Sequence, residues 1–505
     1  MSEPKINLSL EIGRLVQYAL QTGLIEAADK LYAQNRLVAL LGADALEDCE
    51  IPAESLDSPA PILERLLDYA HQHGVLESNA PYNRDIFDTE LMAALTPRPS
   101  EVQRIFNEKY AADPKEATDW FYHFSQATNY IRTDRIARDM RWLYPSAYGD
   151  IVITINLSKP EKDPMQVALL KKQKSSGYPR CALCVENEGY RGTAQNAARG
   201  NHRILPVTLD GENWFMQYSP YVYYNEHCIA FNREHVPMMI SGKTFRRLLD
   251  FIDCFPHYFL GSNADLPIVG GSITTHDHFQ GGSFTFPMEV APDIFRFTVK
   301  GFEDITCSAI KWPLSVFRIS STDRKRLAEL AEHILARWRA YSDESVGILA
   351  ETDGEPHNTI TPIARRRGEA YELDLALRNN RTSDEHPLGI FHPHAEYHHI
   401  KRENIGLIEV MGLAVLPGRL KNELGFIRDC LLGDREAFFE NPSMEAHCAW
   451  YRTLCERDDI TEENVDDILR AEVGLIFCKV LENAGVFKGD EAGIAAFRRF
   501  AESLS

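Results

Sequence analysis

The sequence predicts an α+β protein: a duplicated α/β unit set between a helical N-terminal region and a helical C-terminal region. Three observations carry this expectation. Apolar side chains recur at helical spacing near the start, as at Ile12, Leu15, Val16, Ala19 and Leu20. Runs rich in β-branched residues begin near 148. A His-x-His then stands beside strand-like sequence twice, at His276/His278 and at His392/His394. At 505 residues the chain exceeds a single core, so several packed units are expected.

In chain order, residues 1–140 read as a helical domain with a capping box from Ser100 to Gln103. It closes with "DWFYHFSQATNYIRTDRIARDMRW", where Arg132, Arg135 and Arg138 recur every three residues and read as a solvated basic helix face. Residues 141–320 form the first α/β unit. Here "GDIVITINLS" and "YVYYNEHCIAF" read as strands, "SGKTFRRLLDFIDCFPHYFL" as an amphipathic helix, and "LPIVGGSI" as a short apolar strand leading into "GGSITTHDHFQGG". Residues 321–418 form the second unit: a helix, then "HNTITPIARRRGEAYELDLALRNN", "HPLGIFHPHAEYHHI" and "IGLIEVMGLAVLP". Residues 419–505 read as helices without a catalytic motif.

Lys and Arg number 54 against 74 Asp and Glu, a formal net charge of -20. That balance argues against a nucleic-acid surface, which needs basic patches, but leaves room for phosphorylated small molecules, for which a few local cations suffice. The opening "MSEPKINLSLEIGRLVQYAL" lacks the apolar core of a signal peptide, and no later run reaches membrane-spanning length. A cytoplasmic protein that meets no membrane is the expectation. Of ten cysteines only Cys181 and Cys184 form a C-x-x-C; the others read as core thiols of a reducing compartment.

The stretch "CALCVENEGYRG" brings two soft thiolates within reach of one ion. A lone C-x-x-C also suits a redox pair or a buried core. With no second C-x-x-C in the chain, a metal site has to draw on histidines, and His235 and His276 are the downstream candidates. In "HDHFQ", residues two apart face the same way if the segment is extended, so His276, His278 and Gln280 project toward one space. Flanking glycines permit close approach of a ligand. A neutral imidazole is a competent nucleophile near pH 7, and attack on phosphorus yields a phosphoramidate suited to passing a group onward. A glutamine amide donates to a phosphate oxygen without adding a full charge.

Together "CALC", "AFNREH", "GGSITTHDHFQ" and "HPHAEYHH…IGLIEVMG" resemble galactose-1-phosphate uridylyltransferase of the second, bacterial class, within the histidine-triad superfamily. The resemblance implies histidine-triad-like units and an exchange of UMP between UDP-glucose and galactose 1-phosphate, giving UDP-galactose and glucose 1-phosphate through a uridylyl-histidine. In the first class the motif reads H-P-H-G-Q, and its second histidine is the nucleophile; that role carries to His278, with Gln280 as the supporting amide. The first histidine there completes a zinc site, which corresponds to Cys181, Cys184, His235 and His276. Asp277 and Phe279 depart from the pattern. So does the run from Gly271 to His276, one residue longer than its counterpart.

The same resemblance implies a second metal such as iron at His392 and His394, with His357 and Glu289. It places Asn263, Ser272, Thr275 and Lys401 on substrate and implies a homodimer; Arg191, Lys401 and the arginines at 365–367 are cations that a phosphate could meet, and an exposed basic loop is an equally good reading of the 365–367 run. Two other readings stay open on the residues: another histidine-triad nucleotide hydrolase or phosphorylase, and a non-catalytic zinc-stabilised sugar-nucleotide-binding protein.

Overall fold

The computed structural model describes residues 6–158, 177–271 and 273–505. Ser272 lies outside them. The N-terminal helices run Leu8–Gln21, Lys30–Leu40, Ala60–Gln72, Pro81–Ala93, Pro99–Ala112 and Pro114–Ala127. The fifth begins at Pro99 with Arg98 as its N-cap, so Ser100 sits inside the first turn and the expected capping box does not form; the fixed φ of proline starts the helix instead. The basic stripe is solvated only at its end, where Arg138 is largely exposed. Arg132 and Arg135 are paired with Asp85 and Asp88, and Arg138 with Asp134.

Among the described residues, thirteen further strands and hairpin pieces follow β1 (Met140–Ser146) and β2 (Gly149–Ile155). They are β3 (Leu205–Leu209), β4 (Glu212–Tyr218), β5 (Cys228–Asn232), β6 (Phe259–Gly261), β7 (His278–Gly282), β8 (Asp293–Phe297), β9 (Thr306–Ile310), β10 (Val316–Ser321), the small hairpin β11 (Glu351–Thr352) and β12 (Glu355–Pro356), β13 (Asn358–Arg367), β14 (Ala370–Asn379) and β15 (Leu413–Leu416). Ten of them form one sheet in the order β3-β4-β5-β7-β6-β13-β14-β10-β9-β8. The internal duplication is visible in that order. Three strands, a helix and two strands give β3-β4-β5-β7-β6 around helix Gly242–Cys254; the same series gives β8-β9-β10-β14-β13 around helix Arg324–Arg339. The units join where β6 meets β13, with Gly261 opposite Ile363 and Leu260 opposite Ala364.

The second series therefore starts at β8, and the division expected at 320/321 falls at the turn into its helix, because β8 pairs with β9, β9 with β10 and β10 with β14, and none of them with the first series. Two sequence runs expected as strands are largely loops. Val222 and Glu226 take positive φ, which breaks "YVYYNEHCIAF" before β5. Ile268 does the same to "LPIVGGSI", leaving an isolated bridge between Ala264 and Gly270. Hydrophobicity alone does not separate an apolar loop from a buried strand.

One face of the large sheet carries Phe279, Ala230, Leu260, Leu373 and Phe317, packed with the two crossover helices and the N-terminal helices in one core. The opposite face carries Phe259, Ile363, Ala376 and Val316 in a second core with β2, β15 and helix Val465–Ala484. There β15 runs parallel to β2, on the edge away from β1. No helix among the described residues is long and apolar enough to cross a membrane.

Candidate active site

Strand β7 sorts the H-D-H-F-Q motif by alternation. Phe279 points to the helix side, where its ring stacks on Trp214 at 4.8 Å. Asp277, just before the strand, accepts a 3.0 Å bond from Arg247 of helix Gly242–Cys254, and that guanidinium lies over the same Trp214. Burial pushes the Asp277 carboxyl up to about 6 against the pull of Arg247. The two departures from H-P-H-G-Q thus fill the helix side with a buried ion pair and a ring stack. His278 and Gln280 face the other way. Gly281 between Gln280 and the strand end is required by close approach, since a Cβ there would meet the Phe259 carbonyl at 2.3 Å.

His278 is buried, and its Nδ1–H donates to the His276 carbonyl oxygen at 2.8 Å. That bond fixes the tautomer and leaves Nε2 with its lone pair. Burial lowers the imidazole to about 4, so the ring is neutral at pH 7. The Gln280 Oε1 accepts from His227 Nε2–H at 3.1 Å. The site therefore pairs a neutral imidazole of defined tautomer with an amide of defined direction.

His276 does not share that space, because β7 begins only at His278. Its ring turns to the C-x-x-C. Cys181 Sγ lies 3.6 Å from Cys184 Sγ and 3.2 Å from His276 Nδ1; Cys184 Sγ lies 3.2 Å from His235 Nδ1 and 3.8 Å from His276 Nδ1. All four ligand atoms fall within 4.8 Å of one another, and they form the only such group of His, Cys, Asp and Glu among the described residues. A tetrahedral ion with sulfur at ~2.3 Å and nitrogen at ~2.0 Å sets ligand atoms about 3.3 to 3.8 Å apart, a range that the thiol–thiol and the two shorter thiol–imidazole separations already approach. His276 Nε2–H donates to the Asn232 carbonyl oxygen at 2.8 Å, which turns Nδ1 toward the thiols. Both cysteine carbonyls are held by the Asn187 side chain at 2.8 Å, so the turn is preformed. A metal ion fits this donor set.

The remaining predicted residues divide. Asn263 follows β6 and is buried; its Oδ1 accepts from the Leu407 backbone N–H at 2.8 Å, and a Cβ on Gly271 would stand 2.8 Å from its Nδ2. It ties the loop before the histidine motif to the 404–407 segment. Thr275 is exposed beside His276. Lys401 is only 4% exposed and donates to Glu409 at 2.8 Å and to the Val415 carbonyl, so its charge is spent inside the fold rather than offered to a phosphate. Arg191 pairs with Glu90. Arg365 and Arg367 bond to Glu372, and Arg365 also to Asp374, which Arg318 grips from the other side. That run is a buried charge network, not an exposed basic loop, apart from the half-exposed Arg367.

The second metal site does not assemble. His357 precedes β13 and is held by Asn380 and Thr352, whereas Glu289 lies 3.7 Å from Arg365 and Arg367 at the strand's far end. Eight residues of extended chain separate those ends by roughly 25 Å. His394 stacks on His386 with ring centroids 4.1 Å apart and bonds to the Ile390 carbonyl. His392 Nε2–H donates to Asn404, whose amide donates to the Gly270 carbonyl. The late His-x-His braces the loop that leads into the first one.

Sequence reasoning missed His227, Arg247 and Asn232. Each acts through a partner 30 to 53 residues away, fixed by strand register and helix packing. Only the placement of His227 just ahead of the apolar run in "EHCIAF" offered a signal, and nothing in that run names Gln280.

Two family models match the chain: galactose-1-phosphate uridyl transferase, N-terminal domain, over residues 23–237, and galactose-1-phosphate uridyl transferase, C-terminal domain, over residues 251–429. Among curated relatives named galactose-1-phosphate uridylyltransferase, that of Clostridium acetobutylicum is 52% identical, covering 98% of this chain and 99% of its own length. That of Caldanaerobacter subterraneus is 53% identical with 98% of each chain covered, and that of Bacillus subtilis 49% identical with 97% and 96% covered. A solved structure, yeast Ap4A phosphorylase Apa2, aligns with a TM-score of 0.31 at 12% identity over 64% of this chain and 89% of that one, too weak a likeness to bear on the fold.

Proposed function

The chain belongs to the galactose-1-phosphate uridylyltransferase family and exchanges the uridylyl group between UDP-glucose and a hexose 1-phosphate, galactose 1-phosphate by the family's name; on that premise we propose that His278 carries the group. The observation that supports this most is the buried His278 ring, whose Nδ1–H is held by the His276 carbonyl while Nε2 has no protein partner among the described residues. Nε2 attacks the α-phosphorus of UDP-glucose; a P–N bond forms, the P–O bond to glucose 1-phosphate breaks, and glucose 1-phosphate leaves. An oxygen of galactose 1-phosphate then attacks the same phosphorus, the P–N bond breaks, and UDP-galactose leaves with the imidazole restored. Both leaving group and acceptor are phosphate oxygens, so neither half-reaction needs a strong acid or base. The His276 carbonyl opposes the positive charge that the ring gains while bonded to phosphorus.

Label exchange between glucose 1-phosphate and UDP-glucose in the absence of galactose 1-phosphate tests the scheme. Exchange is expected, because the first half-reaction is complete by itself. Release of free UMP without exchange would instead mark a hydrolase, and binding with neither would mark a sugar-nucleotide-binding protein.

Zinc is the ion this reading assigns to Cys181, Cys184, His235 and His276: two soft thiolates and two imidazoles in a closed tetrahedral set suit it better than a hard, oxygen-seeking cation. When bound, zinc would cross-link the C-x-x-C turn to the segment just before the nucleophile's strand, its charge balanced by the two thiolates. Elemental analysis of the purified protein is expected to find about one zinc per chain, and Cys181→Ser to lower that content by more than half with a lower melting temperature. A zinc-free preparation of equal stability would show that the four residues merely pack. The reading further takes the active form to be a cytoplasmic homodimer, as the family implies, for which a solution mass twice that of one chain is the check.

A further inference from the structure

An amide has two faces of nearly equal shape and opposite chemistry. A half-turn of the Gln280 side chain about its last bond exchanges an NH₂ donor for a carbonyl acceptor. Against a negatively charged phosphate the first attracts and the second repels, so an amide free to turn spends part of its time presenting the wrong face. What holds Gln280 is His227, whose Nε2–H donates to Oε1 at 3.1 Å.

His227 is itself locked. It is 2% exposed, its ring lies against Tyr224 at 4.6 Å and Tyr223 at 5.4 Å, and its backbone carbonyl and N–H are bonded to Ser219 and Tyr224. Its Nδ1 is buried with no hydrogen-bond partner among the described residues. A bare lone pair is cheaper to leave unpaired there than an N–H, so the single proton of the neutral ring belongs on Nε2. Burial holds the ring neutral by lowering it to about 4, which agrees with that assignment. Strand register completes the arrangement: Gln280 stands opposite Ile229 of β5, two residues beyond His227, so the pairing of β5 with β7 sets donor against acceptor.

We propose that His227 is a positioning residue that sets the direction of the Gln280 amide, so that its NH₂ group rather than its carbonyl oxygen meets the uridylyl phosphate. The inference rests on the reading above that Gln280 faces that phosphate. It makes His227 act entirely through Gln280, without touching substrate.

The test measures kcat and KM for label exchange, and melting temperature, in His227→Ala, His227→Gln, Gln280→Ala and the double variant His227→Ala/Gln280→Ala. His227→Ala is expected to lower kcat about tenfold, with KM for UDP-glucose within about twofold of wild type. On the Gln280→Ala background the same change is expected to lower kcat no further, because the group it directs is gone. His227→Gln retains an N–H donor at the reach of Nε2 and is expected to recover most of the loss. If the alanine variant does not fold, His227→Phe fills the same space without a donor and takes its place. Losses that multiply in the double variant, or a glutamine variant no better than alanine, would overturn the inference while leaving the function intact. Full activity in Gln280→Ala would overturn the placement of Gln280 and this inference with it.

Discussion

His278→Ala is expected to leave no covalent label on the protein after incubation with UDP-glucose labelled in its uridylyl part, and to lower label exchange by roughly 10⁴-fold or more. The wild-type adduct is expected to be acid-labile and base-stable, as a phosphoramidate is. The effect is large because the ring supplies the only bond that stores the uridylyl group between half-reactions; without it, direct transfer needs both sugar phosphates in the site at once. Fold and binding should survive. Residue 278 begins β7, whose backbone pairing with β5 and β6 does not depend on the imidazole. UDP-glucose is therefore expected to protect the variant against thermal unfolding about as well as it protects the wild type. Label retained on the variant would assign the nucleophile elsewhere.

Gln280→Ala is expected to slow both uridylylation and transfer by roughly 10²-fold, the usual scale for losing one donor aimed at developing charge. Rapid-quench measurement of each half-reaction separates this from a binding defect, because KM for UDP-glucose should change far less than the rate. Gln280→His replaces a neutral amide by a group able to donate a proton to a departing oxygen, and it also removes the Oε1 that His227 now holds. Transfer is expected to fall, and hydrolysis of UDP-glucose to rise relative to it. Near-normal rates of exchange in both variants would remove Gln280 from the site.

The legible part of the site was the part written in adjacent residues. The C-x-x-C turn, the His-x-His and the alternation through Gln280 are local patterns, and the structure gathers Cys181, Cys184, His235 and His276 into one cluster and sets His278 beside Gln280 on one strand. The second metal that the resemblance implied at His392, His394, His357 and Glu289 finds no such gathering, because His357 and Glu289 lie toward opposite ends of β13. A basic run such as 365–367 looks identical in sequence whether it is solvated or buried. Only β14 supplies Glu372 and Asp374 opposite Arg365, and only β10 supplies Arg318.

By itself, then, the sequence determined the α+β class and offered the repeated unit and the C-x-x-C pair as expectations, since periodicity and short spacings act over a few residues, whereas His235 and His276 reach that pair from 51 and 95 residues away. The tertiary structure alone decided that ten strands form one sheet, with the second unit beginning at β8. It decided too that Asp277 answers Arg247, that Lys401 answers Glu409, and that His227 answers Gln280. The physical reason is the same in each case. A hydrogen bond or ion pair depends on where two side chains meet in space, and strand register and helix packing, which set that meeting, are properties of the whole chain.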